Sequence, residues 1–96
     1  MALQHFVIAT NSSTVTKILT LPRSNGATVR VAFQNNDASA DIYIGTKDVT
    51  ASAGARQGFK VAKGGSVLQL DLEAGDTLYA ISNTGTPYIN ILWTNN

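Results

Sequence analysis

Few side chains here could give or take a proton, attack a carbon or hold a metal. The only histidine is His5, and there is no cysteine. A nucleophile needs a base within hydrogen-bond reach. His5 stands five residues from the start, in a stretch of chain where order is commonly poor. It therefore reads as a surface or interface residue. One imidazole and no thiolate leave no ligand set for zinc within a single chain.

The carboxylates are Asp37, Asp41, Asp48, Asp71, Glu73 and Asp76. Asp71, Glu73 and Asp76 gather around Gly75, which raises calcium, an ion bound by carboxylate and carbonyl oxygens. The Asp-x-Asp-x-Asp-Gly loop spacing is absent, and acidic residues beside glycine also make an ordinary solvated hairpin turn. Asp37 and Asp41 bracket another turn. Gly64-Gly65-Ser66 lacks the lysine and the following helix of a phosphate loop. Arg56, Lys60 and Lys63 are the one basic cluster and read as a solvated loop and strand face. Tyr43 and Tyr88 alternate out of phase with their isoleucine neighbours, so both are expected outside, where they could stack on a sugar. Trp93 shares the phase of Ile89 and Ile91 and is expected in the core or an interface. No catalytic, cofactor-binding or metal-binding residue is expected, and the chain does not read as an enzyme.

The elements around these residues are strands. No window keeps apolar positions at the helical period, whereas period-two alternation recurs, broken by Gly, Asn, Asp and Pro. Strands are expected at residues 6–10, 15–21, 28–34, 41–45, 58–61, 66–72, 77–82 and 88–94. Val29, Val31 and Phe33 should face the core, as should Ile42 with Ile44; Phe59 and Val61 share one face of their strand, and Leu68, Leu70 and Leu72 one side of theirs. Pro22 and Ser24-Asn25-Gly26 mark one turn. Residues 35–40 and 83–86 are expected to close hairpins, and residues 49–57 to form a loop or a poorly paired edge. In the last strand both faces carry apolar groups, which suits a central strand or one packed on a neighbouring subunit. About eight strands at this spacing predict an all-β fold, an antiparallel β-sandwich of jelly-roll type.

Ninety-six residues make one domain, 1–96, with residues 1–9 a possible N-terminal arm. Seven basic residues against six acidic, a net charge of +1, provide no basic face for nucleic acid. No apolar run approaches the ~20 residues that span a bilayer. The first residues have neither a basic nor an apolar signal-peptide region, so cytoplasmic synthesis is expected. Charged residues are 14 % of the chain, against about 25 % in typical soluble domains. The surface is therefore built from Thr, Ser, Asn, Gln and Gly, and such surfaces repel their own copies weakly. With disulfides and thiolate metals excluded, partner subunits are the remaining supplement to a small core.

The run Asn35-Asn36-Asp37-Ala38-Ser39-Ala40-Asp41-Ile42-Tyr43-Ile44-Gly45 is followed by Val49-Thr50 and Phe59-Lys60-Val61. Then come Gly75-Asp76-Thr77-Leu78-Tyr79-Ala80-Ile81 and an Ile-rich final strand. This order resembles small virion proteins of tailed bacteriophages, over residues 28–94. Relatives often double the glycine after the Ile-Tyr-Ile run, where Thr46 stands here. The resemblance implies a non-enzymatic jelly-roll protein on the outer capsid surface. It would be a decoration (cement) protein or a tail or head-fibre component, with itself, as a trimer, and the major capsid protein as partners. A carbohydrate or host-surface binder is the other reading of the exposed tyrosines. Ala2, Leu3, Gln4, His5, Phe6, Tyr88 and Trp93 are the expected interface residues. Deleting residues 1–9 is expected to cost particle binding more than folding.

Overall fold

Alternating side chains assemble eight strands in the computed structural model, which describes residues 2–21, 28–52, 54, 56–73 and 75–95. They are β1 (Ala2–Ala9), β2 (Thr16–Thr20), β3 (Thr28–Asn35), β4 (Ile42–Gly45), β5 (Phe59–Val61), β6 (Ser66–Glu73), β7 (Thr77–Ser82) and β8 (Tyr88–Asn95). They form two four-stranded sheets, ordered β1-β8-β3-β6 and β2-β7-β4-β5. Every pair in both sheets is antiparallel. β1 pairs β8, β2 pairs β7, β3 pairs β6 and β4 pairs β5. That is one long ribbon of four strands out and four back, wound over two sheets. The fold is the expected β-sandwich with jelly-roll strand order.

The core lies between the sheets. Val31 and Phe33 of β3 and Ile89, Ile91 and Trp93 of β8 meet Ile42 and Ile44 of β4, Val61 of β5 and Ala80 of β7. Ile18 and Leu19 are adjacent in β2 yet both buried, because the register shifts between Lys17 and Leu19. Such a bulge turns two successive residues off the strict alternation. Leu68, Leu70 and Leu72 of β6 pack on the core from its rim.

Two expected hairpins are corrected. Residues 35–40 and 83–86 do not join paired strands, since β3 and β8 belong to one sheet and β4 and β7 to the other. Both segments cross between sheets, a gap of about 10 Å. Asn35 anchors the first crossing from inside. Its buried amide donates to the carbonyls of Ala40 (2.8 Å) and Val61 (3.0 Å), and its oxygen accepts from the Asp37 N–H (3.0 Å). The Asp37 carboxylate then accepts from the backbone of Ser39 (3.0 Å) and Ala40 (2.7 Å). The two crossings are tied together. The Asp41 N–H donates to Asn83 Oδ1, and the Asn83 N–H to the Asp41 carbonyl, both at 3.0 Å. Turn-forming side chains thus redirect the chain where a hairpin would have reversed it.

Two further expectations, for residues 1–9 and for Tyr43, change. Residues 2–9 are not a projecting arm; they form β1, paired residue by residue with β8 from Ala2↔Asn95 to Ala9↔Tyr88. Phe59 shares the inward phase of Val61 but is exposed. β5 has three residues where β6 has eight, so one end of the sandwich stays open. A cavity of about 420 Å³ there is lined by Phe59, Leu70, Leu72 and Leu78, among others. Tyr43, expected outside, is buried, because β4 is a central strand and Lys60 and Ile81 flank it in register. The turn at Pro22 and Ser24-Asn25-Gly26 lies outside the described residues. The described residues of the 49–57 segment, 49–52, 54, 56 and 57, form the expected loop, with an isolated bridge between Thr50 and Gln57. Gly75 takes φ 90° in the turn before β7, which its lack of a Cβ permits.

Candidate docking face

Strand alternation gives the β1-β8-β3-β6 sheet a second face, turned away from the core. Register arranges its side chains in rows. One row runs Val7, Asn90, Gln34, Val67 across the four strands, and the next runs His5, Leu92, Ala32, Gln69. Leu3 and Tyr88 stand at the margins. Leu3, Tyr88, Val67, Val7 and Leu92 expose 68, 62, 57, 54 and 42 % of their surface. Isolated exposed apolar residues are normal, but a contiguous set on one face marks an interaction surface. Small Ala32 lets the middle of the sheet sink. The result is an open depression of about 610 Å³ walled by Leu3, His5, Leu92, Gln34 and Val67.

The electrostatics are quiet. Arg30 and Asp71 sit across from each other at one corner, and Arg30 Nε donates to Asp71 Oδ1 at 3.1 Å. That hydrogen bond and the adjacent carboxylate charge hold the guanidinium pKa above its ordinary value. Both side chains are largely exposed, so the pair neutralises more than it stabilises. Glu73 follows on the same side of β6. Among the described residues, no charged side chain lines the depression, and His5 is its one titratable group.

The expected interface residues divide. Leu3, His5 and Tyr88 lie on this face. Gln4 and Phe6 alternate to the opposite side, in register with Trp93 and Ile91. Ala2 pairs with Asn95 through its main chain, and its side chain lies outside the described residues. Trp93 is corrected from interface to core: it is only 6 % exposed, and its buried indole N–H has no hydrogen-bond partner among the described residues. Val7, Ala32, Val67 and Leu92 were not singled out. Ala32 and Leu92 stand out of phase with buried neighbours, Val7 and Val67 with the partly buried Ile8 and Leu68, so an apolar residue at an outward position is the available signal. Tyr43 and Tyr88 cannot form one sugar platform, since they belong to different sheets and Tyr43 is buried.

The carboxylates serve the fold. Asp76 accepts from the Glu73 N–H (2.9 Å) in the turn around Gly75, which is not the expected hairpin, since β6 and β7 belong to different sheets. Asp41 accepts from the Lys63 N–H (2.9 Å) and lies 3.6 Å from the Lys60 ammonium. Among the described residues, no three His, Cys, Asp or Glu side chains gather as a metal site would require. The chain matches no protein-family model, no curated protein and no solved structure.

Proposed function

We propose that this chain is a non-enzymatic structural protein of a bacteriophage particle, docking on the outer capsid surface as a decoration or cement protein. The observation that carries the reading is the apolar depression on the outer face of the β1-β8-β3-β6 sheet, which no charged side chain lines among the described residues. A nucleic acid or an anionic membrane would select a basic surface. A face of Leu, Val, Tyr, Asn and Gln suits the surface of another protein. The virion assignment adds the resemblance of residues 28–94 to small tailed-phage proteins. In that role the domain adds buried area across junctions between shell subunits. Each contact is weak, and many copies act together.

The test adds the purified protein to phage shells that lack it, and follows co-sedimentation and the shell melting temperature. The protein should sediment with the shells and raise their melting point. Leu92→Asp, which places a charge in the middle of the face, should lose both effects while keeping the fluorescence of the core Trp93. Full binding by Leu92→Asp, or no binding by the natural chain, overturns the reading.

A further inference from the structure

The sheet bearing the docking face ends in two strands, β1 and β6, each without a further neighbour among the described residues. An open strand edge templates pairing with another chain unless charge, proline or a bulge guards it. The β6 edge is guarded, because Asp71 and Glu73 stand exposed on its outer side. The β1 edge is not. Its sequence ALQHFVIA has no Lys, Arg, Asp, Glu or Pro, and its register with β8 runs unbroken. Phe6 gives a second sign. It points to the core side, in register with fully buried Ile91, yet is 42 % exposed. Nothing beyond β1 in the described residues covers it.

We infer that two copies of the chain pair β1 to β1, antiparallel, joining their four-stranded sheets into one of eight. A second copy is the occupant because like edges meet here without charge repulsion, and one contact satisfies the unguarded edge of both chains. Pairing β1 onto β6 of another copy would leave an unguarded β1 edge at the end of every open array. The phase is set too. Slipping a strand by one residue moves its side chains to the other face, so only residues of equal parity can stand opposite. The two-fold axis then falls on a residue, His5 or Phe6 at the middle of the strand. In either case Phe6 is covered, by Gln4 or by Phe6 of the second copy. This two-fold contact replaces the trimer that the resemblance implies. The contact itself does not depend on the virion role. Only its consequence rests on that reading: two docking faces side by side, bound with avidity.

Size-exclusion chromatography with light scattering over a dilution series should give a species of twice the chain mass of 10.1 kDa. Gln4→Lys places a charge on the edge without touching the docking face. It should give a monomer with natural Trp93 emission that still binds shells, more weakly. Val67→Lys on β6 should remain dimeric. Because the chain has no cysteine, single substitutions report the contact directly. Either His5→Cys or Phe6→Cys should cross-link on oxidation, and Val67→Cys should not. A monomeric natural chain, a dimeric Gln4→Lys, or cross-linking at Val67 in place of β1 overturns the inference. Shell binding by a monomeric natural chain would sink the pairing and leave the docking role standing.

Discussion

Asn35 is the residue on which the winding of the ribbon turns. Its side chain is fully buried and joins three backbone groups belonging to the β3–β4 crossing and to β5. Asn35→Ala would strand two carbonyls and one N–H without a partner. Each unsatisfied buried group costs about 1–3 kcal/mol, so a loss on the order of 3 kcal/mol is expected in chemical denaturation. Asp37 acts beside it by charge. Hydrogen bonds from the Ser39 and Ala40 N–H groups pull its carboxyl pKa below the ordinary value. A depressed folded-state pKa contributes stability above the unfolded pKa and loses it as pH falls through the folded one. Asp37→Ala should therefore be less stable than the natural chain at neutral pH. That difference should shrink as pH drops below about 4, the ordinary carboxylate range; a difference that stays constant would refute the account. Gly58 is a third such position. A Cβ there would lie 2.4 Å from Val49 Cγ2 and 2.5 Å from the Ile44 carbonyl oxygen, and the backbone cannot yield cheaply. Gly58→Ala should cost about 1–3 kcal/mol, as overpacking does.

At the scale of elements, β1 is where the sequence reading and the structure differ most in consequence. Read as an arm, residues 1–9 would be dispensable for folding. As a strand paired along its length with β8, they are not. Deleting them should strip one flank of β8, uncover Ile89 and Ile91, and abolish a cooperative melt by circular dichroism. A cooperative melt near that of the full chain would show the strand to be peripheral. The strands themselves were legible, because period-two alternation is local: Val29, Val31 and Phe33 declare an inward face without reference to the rest of the chain. Pairing was not. Asn35-Asn36-Asp37 signals that the chain turns, and a turn within a sheet uses the same residues as a turn between sheets. What separates them is the buried amide of Asn35 reaching Val61, 26 residues away. The burial of Tyr43 and the exposure of Phe59 were not legible for a related reason. Their phases are plain in the sequence, but exposure depends on whether a neighbouring strand extends far enough to cover them. The docking face is half legible: Leu3, His5 and Tyr88 stand out in the sequence, but Ala32 joins them only through β3–β8 register and Val67 only through β3–β6 register.

The whole molecule carries a cost set by its winding. In the β1–β8 ladder the outermost pair joins Ala2 to Asn95, and β2 pairs with β7 across residues 16–20 and 77–80. Almost no pairing is local; the three-residue β5 with β4 is among the shortest-range. Chain entropy must be lost before such contacts return anything, so folds of this kind reach the native state in milliseconds to seconds where helical bundles take microseconds. Trp93 is the only tryptophan and sits in the last strand, against both β1 and β3. Its burial therefore reports completion of the sheet. Stopped-flow refolding followed at Trp93 is expected to show a phase between about 10 ms and 10 s. Phe33→Ala, which empties the middle of the core, should cost about 3–5 kcal/mol. Leu92→Asp, on the outer side of the same sheet, should leave refolding nearly unchanged. The contrast follows from one geometric fact. β8 carries apolar side chains on both faces, Ile89, Ile91 and Trp93 inside and Tyr88 and Leu92 outside, but only the inner face is covered by the chain itself. Equal slowing by the two substitutions would mean that the outer face is also buried during folding, and would remove the basis for treating it as a surface left for a partner.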